Sequence, residues 1–149
     1  MAIYIGGTGD ANKIDDYEEG TWTPNPHGYW NGGWRQATYT GTVEGATYTK
    51  IGRTVYFKCY FNNINYTNNA SGANARIYGL PFSAADDGYG YTTHAPAHVN
   101  IFGNTNTGNF YISGTLCHAT KYGENNIGNA TWGTGGGMYM MLSGSYQAA

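Results

Sequence analysis

The sequence contains little charge, few aliphatic side chains, two cysteines and no long apolar run. Charged residues make up 11% of the 149 residues, with 7 basic against 9 acidic side chains and a formal net charge of −2. This balance excludes the strongly basic surface of a nucleic-acid-binding protein. Two cysteines exclude a disulfide framework. No apolar run approaches the ~18 residues of a membrane span, and no signal-peptide pattern follows Met1.

Aromatic and small polar residues take the place of the missing aliphatic ones. Val, Ile, Leu and Phe together number 20, which is a fraction typical of disordered chains. However, 15 Tyr, 4 Trp, 18 Thr and 16 Asn with low charge favour a folded β protein whose bulk is aromatic. No window of good helix formers is long enough for a helix. The composition therefore predicts an all-β fold.

The clearest strand signals lie in residues 46–50 and 54–63, on either side of Ile51-Gly52-Arg53. In the second run Val55, Phe57, Cys59 and Phe61 alternate with polar or tyrosine side chains, which predicts an antiparallel hairpin with one buried face. Seven or eight short strands favour an antiparallel β-sandwich or jelly roll. The further strands are predicted near residues 75–78, 97–102, 110–116 and 137–146.

Residues 21–36 contain three of the four tryptophans, between two prolines and the Gly32-Gly33 pair. Proline and glycine at this density predict a loop that carries unusually large side chains. Tyr29, Trp30 and Trp34 in this segment, with Tyr89 and Tyr91 in a second Gly-rich segment, are the candidate ligand-binding residues. Rigid rings beside Asn, Gly and Thr suit a glycan, whose apolar face stacks on an aromatic ring. The competing interpretation is that these rings fill the core or a subunit interface.

An acidic segment near the N-terminus holds Asp15, Asp16, Glu18 and Glu19. Four carboxylates in five residues meet part of the requirement of a calcium site, but the spacing lacks the EF-hand pattern. A solvated acidic surface that faces a basic side chain of a neighbouring subunit is favoured over a metal site.

Histidine and cysteine add no convincing metal site. Pro96 opposes a helix through His94 and His98, which on a strand would share one face without a third ligand. We expect no metal and no cofactor. Cys59 and Cys117 are predicted to be buried free thiols, with a disulfide as the minor alternative.

Catalytic signals are also weak. Asp86-Asp87 and Glu124 would be the carboxylates of a glycosidase, but nothing in the sequence brings them together. No nucleophile elbow or phosphate-binding loop is present. We therefore expect a protein that is not an enzyme.

Four segments occur in a recognisable order: residues 15–24 (DDYEEGTWTP), 48–53 (YTKIGR), 77–82 (IYGLPF) and 142–146 (LSGSY). Together they resemble the terminal receptor-binding (head) domain of tailed-bacteriophage tail fibre proteins. The resemblance implies a homotrimeric β-sandwich at a fibre tip that recognises a host surface. It implies a virion protein, on the tail fibre or capsid surface, that is assembled in the cytoplasm of the bacterial host.

This interpretation divides the chain into an extended arm, residues 1–14, and a head domain, residues 15–149. Ile3, Tyr4 and Ile5 of the arm are expected to attach the protein to another virion protein of the tail, baseplate or capsid. In the fibre family a long shaft usually precedes the head, whereas here only the arm does. A capsid decoration or head fibre protein of the same fold is therefore an open alternative, and a free lectin or tail depolymerase is less favoured. The expected partners are two further copies and a host surface glycan, with no nucleic acid and no membrane insertion.

Overall fold

The computed structural model describes residues 3–4, 13–14, 16–85, 94–99, 107–123, 126–129, 131–134 and 136–149. Every regular element within these ranges is a β-strand, and the strand pairs are antiparallel, which confirms the all-β prediction. Over the same ranges there is no helix of the length and apolarity needed to cross a membrane.

Thirteen strands are formed within the described ranges, more than the seven or eight predicted. Eleven of them belong to one sheet, in the order β3-β6-β7-β13-β9-β10-β11-β8-β4-β5, with β12 paired to β11. The bounds are β1 Ile3–Tyr4, β2 Lys13–Ile14, β3 Tyr17–Thr21, β4 Asn25–Trp30, β5 Gly33–Gln36, β6 Tyr39–Ile51, β7 Thr54–Tyr66, β8 Asn74–Tyr78, β9 His94–Val99, β10 Thr107–Ser113, β11 Leu116–Gly123, β12 Asn126–Asn129 and β13 Met138–Gln147.

The large sheet folds over its own core into a sandwich-like arrangement. Strands β7 and β4 are separated by five strands in the sheet order, which in a flat sheet would place them roughly 29 Å apart. Trp132 nevertheless joins them: its ring lies 5.3 Å from that of Tyr66 on β7, and its Nε1 donates a 2.8 Å hydrogen bond to the carbonyl oxygen of His27 on β4. Side chains from β7, β13, β8, β10 and β11 accordingly form one buried cluster.

The hairpin of β6 and β7 confirms the prediction for residues 46–63. Ile51 pairs with Thr54, and Gly52 at the first central position of the turn has φ +56°, the sign that a type II′ turn requires. On β7 the predicted alternation is observed, with Val55 and Phe57 among the buried residues.

Segment 21–36 is not a loop, contrary to our prediction. It contains β4 and β5, which pair from His27–Gln36 to Trp30–Gly33. Asn31 and Gly32 connect them with φ +50° and +76°, and two positive φ values are the geometry of a type I′ turn, for which Asn-Gly is strongly preferred. The prolines suggested a loop, whereas the Asn-Gly pair specifies a hairpin.

The other predicted strands are present with shifted bounds. The strand near 75–78 is β8, and the strand near 137–146 is β13. The strand predicted near 97–102 begins earlier, as β9, and residues 100–102 lie outside the described residues. The predicted strand 110–116 is β10 followed by a turn at Gly114-Thr115 and the start of β11. In the predicted arm, Ile3 pairs with Ile14 and Tyr4 with Lys13, so β1 and β2 form a separate two-stranded sheet, and Ile5 lies outside the described residues.

Strand β6 contains two irregularities, each at a glycine with positive φ. The register with β7 shifts at Gly41 (φ +99°) and again at Gly45 (φ +58°). A Cβ at position 41 would lie 2.6 Å from the carbonyl oxygen of Asn62 and closer still to that of Asn63, whereas one at position 45 meets nothing within 4 Å.

We therefore expect Gly41→Ala to destabilise the protein more than Gly45→Ala. Both substitutions impose a positive φ on alanine, which costs about 1–2 kcal/mol, and Gly41→Ala adds overlap with the backbone of β7. We expect Gly41→Ala to lower the free energy of unfolding by about 3 kcal/mol. Urea denaturation of both variants measures the difference, and equal losses would contradict this account of the first bulge.

Candidate functional site

The outer face of strands β5, β4, β8 and β11, here called the Trp34 face, carries a row of aromatic and basic side chains. The inward positions of these strands are taken by buried residues such as Pro26, Ala75 and Ile77. The alternating outward positions are aligned across strands by the register: His27 pairs with Arg76, and Arg76 with His118. Residues from three distant chain segments thus meet on one surface.

Tyr29 and Trp34 form the exposed end of this row, as cross-strand partners beside the tight turn of the β4–β5 hairpin. Their ring centroids lie 5.5 Å apart in an edge-to-face arrangement, and Tyr29 is 45% exposed. Because β5 is the last strand of the sheet, these rings lie at a sheet edge that a ligand can approach. The sequence prediction for these two residues is compatible with this placement.

Arg76 of β8 packs on this aromatic pair. Its guanidinium carbon lies 3.8 Å from the centroid of the Trp34 ring, within the range of a cation–π contact. Among the residues that the structure describes, no carboxylate is within ion-pair distance of Arg76 and no acceptor takes a hydrogen bond from it. Trp34 therefore positions a planar cation for which the described residues supply no anionic partner.

Histidines extend the row on both sides of Arg76. The His27 ring lies 4.1 Å from that of Tyr78, and its Nδ1 is 3.1 Å from the carbonyl oxygen of Asn25. The His118 ring stacks on Tyr111 at 4.5 Å. His118 is only 8% exposed, and its Nδ1 is buried without a hydrogen-bond partner. Burial, with a smaller contribution from the positive charge of Arg76, lowers the pKa of His118 from its usual 6.5 to about 4.

Trp30 does not belong to this group. It lies on the same side of β4 as Gly28, where a Cβ would approach the Trp30 ring to 2.8 Å, and it packs against the core. Tyr89 and Tyr91 lie outside the described residues. Of the predicted residues, the structure places Tyr29 and Trp34 together and Trp30 apart from them. The prediction did not include Arg76, because its position beside Trp34 depends on a pairing between distant segments.

The opposite layer has an outer face of different chemistry, here called the Tyr56 face, formed by β3, β6, β7 and β13. Five of the six large hydrophobic side chains that are exposed in the described residues lie on it. Two shallow depressions of about 500 and 470 Å³ lie on this face, and Lys58 contributes to both. The five exposed side chains are Tyr17, Ile51, Tyr56, Tyr139 and Met141.

The acidic segment is held within its own chain. Asp16 forms an ion pair with Lys50, and Glu18 accepts a hydrogen bond from the Tyr48 hydroxyl. The structure thus supplies an internal basic partner for Asp16, where we had expected one from a neighbouring subunit. Asp15 lies outside the described residues, within which no group of three or more His, Cys, Asp or Glu is arranged for a metal ion.

Both cysteines are buried free thiols, as predicted. Burial raises the pKa of Cys59 to about 12 and raises that of Cys117 as well. The thiolate is the reactive form, so neither thiol is activated for nucleophilic chemistry.

The pKa of His118 predicts a pH-dependent stability. The unfolded state takes up a proton below about pH 6.5, whereas the native state does so only near pH 4, so stability falls as the pH is lowered from 6.5 to 4. At pH 4.5 the lowered pKa of His118 is expected to reduce the free energy of unfolding by on the order of 2 kcal/mol. Urea denaturation of the native protein and of His118→Gln across this range measures it. We expect a shallower pH dependence in the variant, and parallel curves would contradict the assignment.

In comparisons with known proteins, no family model and no curated protein sequence matches the chain.

Proposed function

We propose that this protein is a bacteriophage virion protein, the head of a tail fibre, which binds a glycan on the host cell surface. The observation that carries this proposal is the contact between exposed Tyr29 and half-buried Trp34, braced by Arg76 at the edge of a sandwich-like β scaffold. The resemblance of four ordered segments to fibre head domains supports the same assignment. In this proposal the domain is a jelly-roll-like sandwich that works as a homotrimer.

The aromatic pair suits a sugar ring because it offers apolar contact area at little entropic cost. Arg76 takes one side of the Trp34 ring, so a ligand uses the exposed Tyr29 ring and the remaining surface of Trp34. Polar side chains stand next to these rings in the register, with Asn74 opposite Tyr29 and Gln36 opposite His27. Amide groups of this kind pair with sugar hydroxyls. Stacking contributes roughly 1–3 kcal/mol beyond hydrogen bonding, and together they give a weak single site, near millimolar.

A trimer would raise this weak affinity by multivalency. Three linked sites, repeated over several fibres, increase the effective binding by ~10² to 10⁴ without a new contact. The Tyr56 face is our proposed contact between subunits, because exposed tyrosine, methionine and isoleucine side chains are concentrated there. Large apolar patches on a soluble domain mark interaction surfaces.

The N-terminal segment is proposed to attach the head to another virion protein through Ile3, Tyr4 and Ile5. The backbones of residues 3–4 and 13–14 pair apart from the large sheet. In its described residues the proposed attachment element is thus not hydrogen-bonded into the sheet that carries the proposed ligand-binding face. The protein needs no catalytic residues for such a role, and it acts by adhesion.

Glycan binding is tested by substituting the two aromatic residues on the Trp34 face. We expect Trp34→Ala and Tyr29→Ala each to weaken binding at least ~10-fold on a glycan array, because each removes a stacking surface. Arg35→Ala is the matched control, since it removes an exposed side chain of the same hairpin that lies on the other side of β5 from Trp34. Trp30→Ala is expected to lower the melting temperature instead, because Trp30 packs against the core. Binding unchanged in both site variants would contradict the proposed site.

Trimer formation is tested by placing charge on the Tyr56 face. The native protein is expected to have the mass of three 16.1 kDa chains by light scattering. The double variant Tyr56→Glu/Met141→Glu is expected to be monomeric, because burying two carboxylates at an interface is costly. Tyr29→Glu serves as the control and should remain trimeric. A native monomer at micromolar concentration would contradict both the trimer and the multivalent mechanism.

A further inference from the structure

The charges of the described strands are unevenly distributed between the two layers. Strands β4, β5, β8, β10 and β11 contain three basic residues, Arg35, Arg76 and Lys121, and no acidic residue. Strands β3 and β6 instead hold all the strand carboxylates, Glu18, Glu19 and Glu44. Counted over the described strands, this layer carries +3, whereas β3, β6, β7 and β13 carry −1, because Lys50 and Lys58 offset two of their three carboxylates. Arg76 is the cation that lies against the aromatic pair.

From this arrangement we propose that the ligand of the Trp34 face carries a negatively charged group, a carboxylate, sulfate or phosphate on a sugar, which binds Arg76. This inference rests on the proposed glycan-binding function and specifies the chemical class of the glycan. Neutral sugars would use the same rings, but their hydroxyl oxygens would offer the guanidinium only uncharged acceptors, which form weaker hydrogen bonds than an anionic group does.

Arg76 is prepared for such a group by its surroundings. The Trp34 ring holds the guanidinium plane at 3.8 Å, so less side-chain entropy is lost when an anion binds. The planar fork matches the paired oxygens of a carboxylate, sulfate or phosphate. No carboxylate of the described residues competes for it, in contrast to Lys50, which is paired with Asp16.

The residues beside Arg76 favour one anionic group and disfavour a larger cluster of them. His27 and His118 occupy the positions on either side of Arg76 in the register. His118 is buried, with an Nδ1 that no described residue satisfies, and it is neutral at physiological pH. The centre of the row therefore offers the single fixed charge of Arg76, flanked by aromatic surface.

A purely structural role for Arg76 is the competing explanation. In that case the guanidinium would only brace Trp34 and stabilise the β4–β5 hairpin, and its removal would lower stability without changing the ligand preference. The two roles are separated by comparing ligands that differ only in charge.

The experiment uses an array that pairs neutral oligosaccharides with their carboxylated, sulfated and phosphorylated counterparts, followed by titration of a hexuronic-acid oligosaccharide and its carboxyl-reduced form. We expect the native protein to bind the acidic member of at least one pair at least ~10-fold more tightly. Arg76→Gln should abolish that preference while retaining binding of the neutral form. Raising the salt concentration should weaken the acidic ligand selectively.

Matched variants and alternative outcomes make the test decisive. Lys58→Gln removes an exposed cation from the Tyr56 face and should leave the preference intact. If the native protein and Arg76→Gln both bind the neutral and acidic forms equally, the proposal of an anionic ligand is wrong. The glycan-binding proposal would then still stand. Failure of the native protein to bind any glycan on the array would overturn both. A preference that survives in Arg76→Gln would assign the anion to another residue and overturn the role of Arg76.

Discussion

The fold depends on the way in which a few aromatic side chains bridge two layers of one sheet. A sandwich needs side chains that span about 10 Å between its sheets, and this chain has few aliphatic residues for that purpose. Trp132, Tyr146, Phe61 and Phe110 are the largest fully buried side chains. Trp132 is central, because its ring packs on Tyr66 of one layer while its Nε1 donates to the backbone of β4 in the other. Aromatic rings thus supply both the bulk and the polar connections of the core.

This constraint also positions the candidate site. The hydrogen bond from Trp132 ends on the carbonyl oxygen of His27, so it fixes the strand that carries Tyr29 outward two residues later. On the inner side of the same strand, Gly28 leaves room for the ring of Trp30. The outward face is thus anchored to the core from behind, and such support favours ordered contacts with a weakly held ligand. The core and the candidate site thus lie on opposite faces of strand β4.

Local signals were sufficient for the β6–β7 hairpin, because a complete alternation and a glycine turn lie within one continuous segment. They were insufficient for the β4–β5 hairpin, where Pro24, Pro26 and the Gly32-Gly33 pair suggested a loop and outweighed the Asn31-Gly32 turn signal. The alternation of side chains along these strands places Tyr29 and Trp34 on one face of the sheet and Trp30 on the other. Arg76 had no sequence signal, because its place beside Trp34 results from β8 pairing with β4 across more than forty residues. Non-local pairing of this kind is decided by the whole core.

The two outer faces divide the proposed work between assembly and recognition. The Tyr56 face presents exposed tyrosine, isoleucine and methionine side chains, which suit a contact between subunits, whereas on the Trp34 face no carboxylate of the described residues pairs with the Arg76 guanidinium. Low net charge has a further consequence, since a particle that carries many such heads is not drawn to every charged surface. At physiological salt the field of Arg76 extends only about 8 Å. In the proposed function an anionic sugar is therefore selected at contact, after the aromatic rings have met it, and the proposed specificity arises from the pairing of one fixed cation with one stacked ring in each copy.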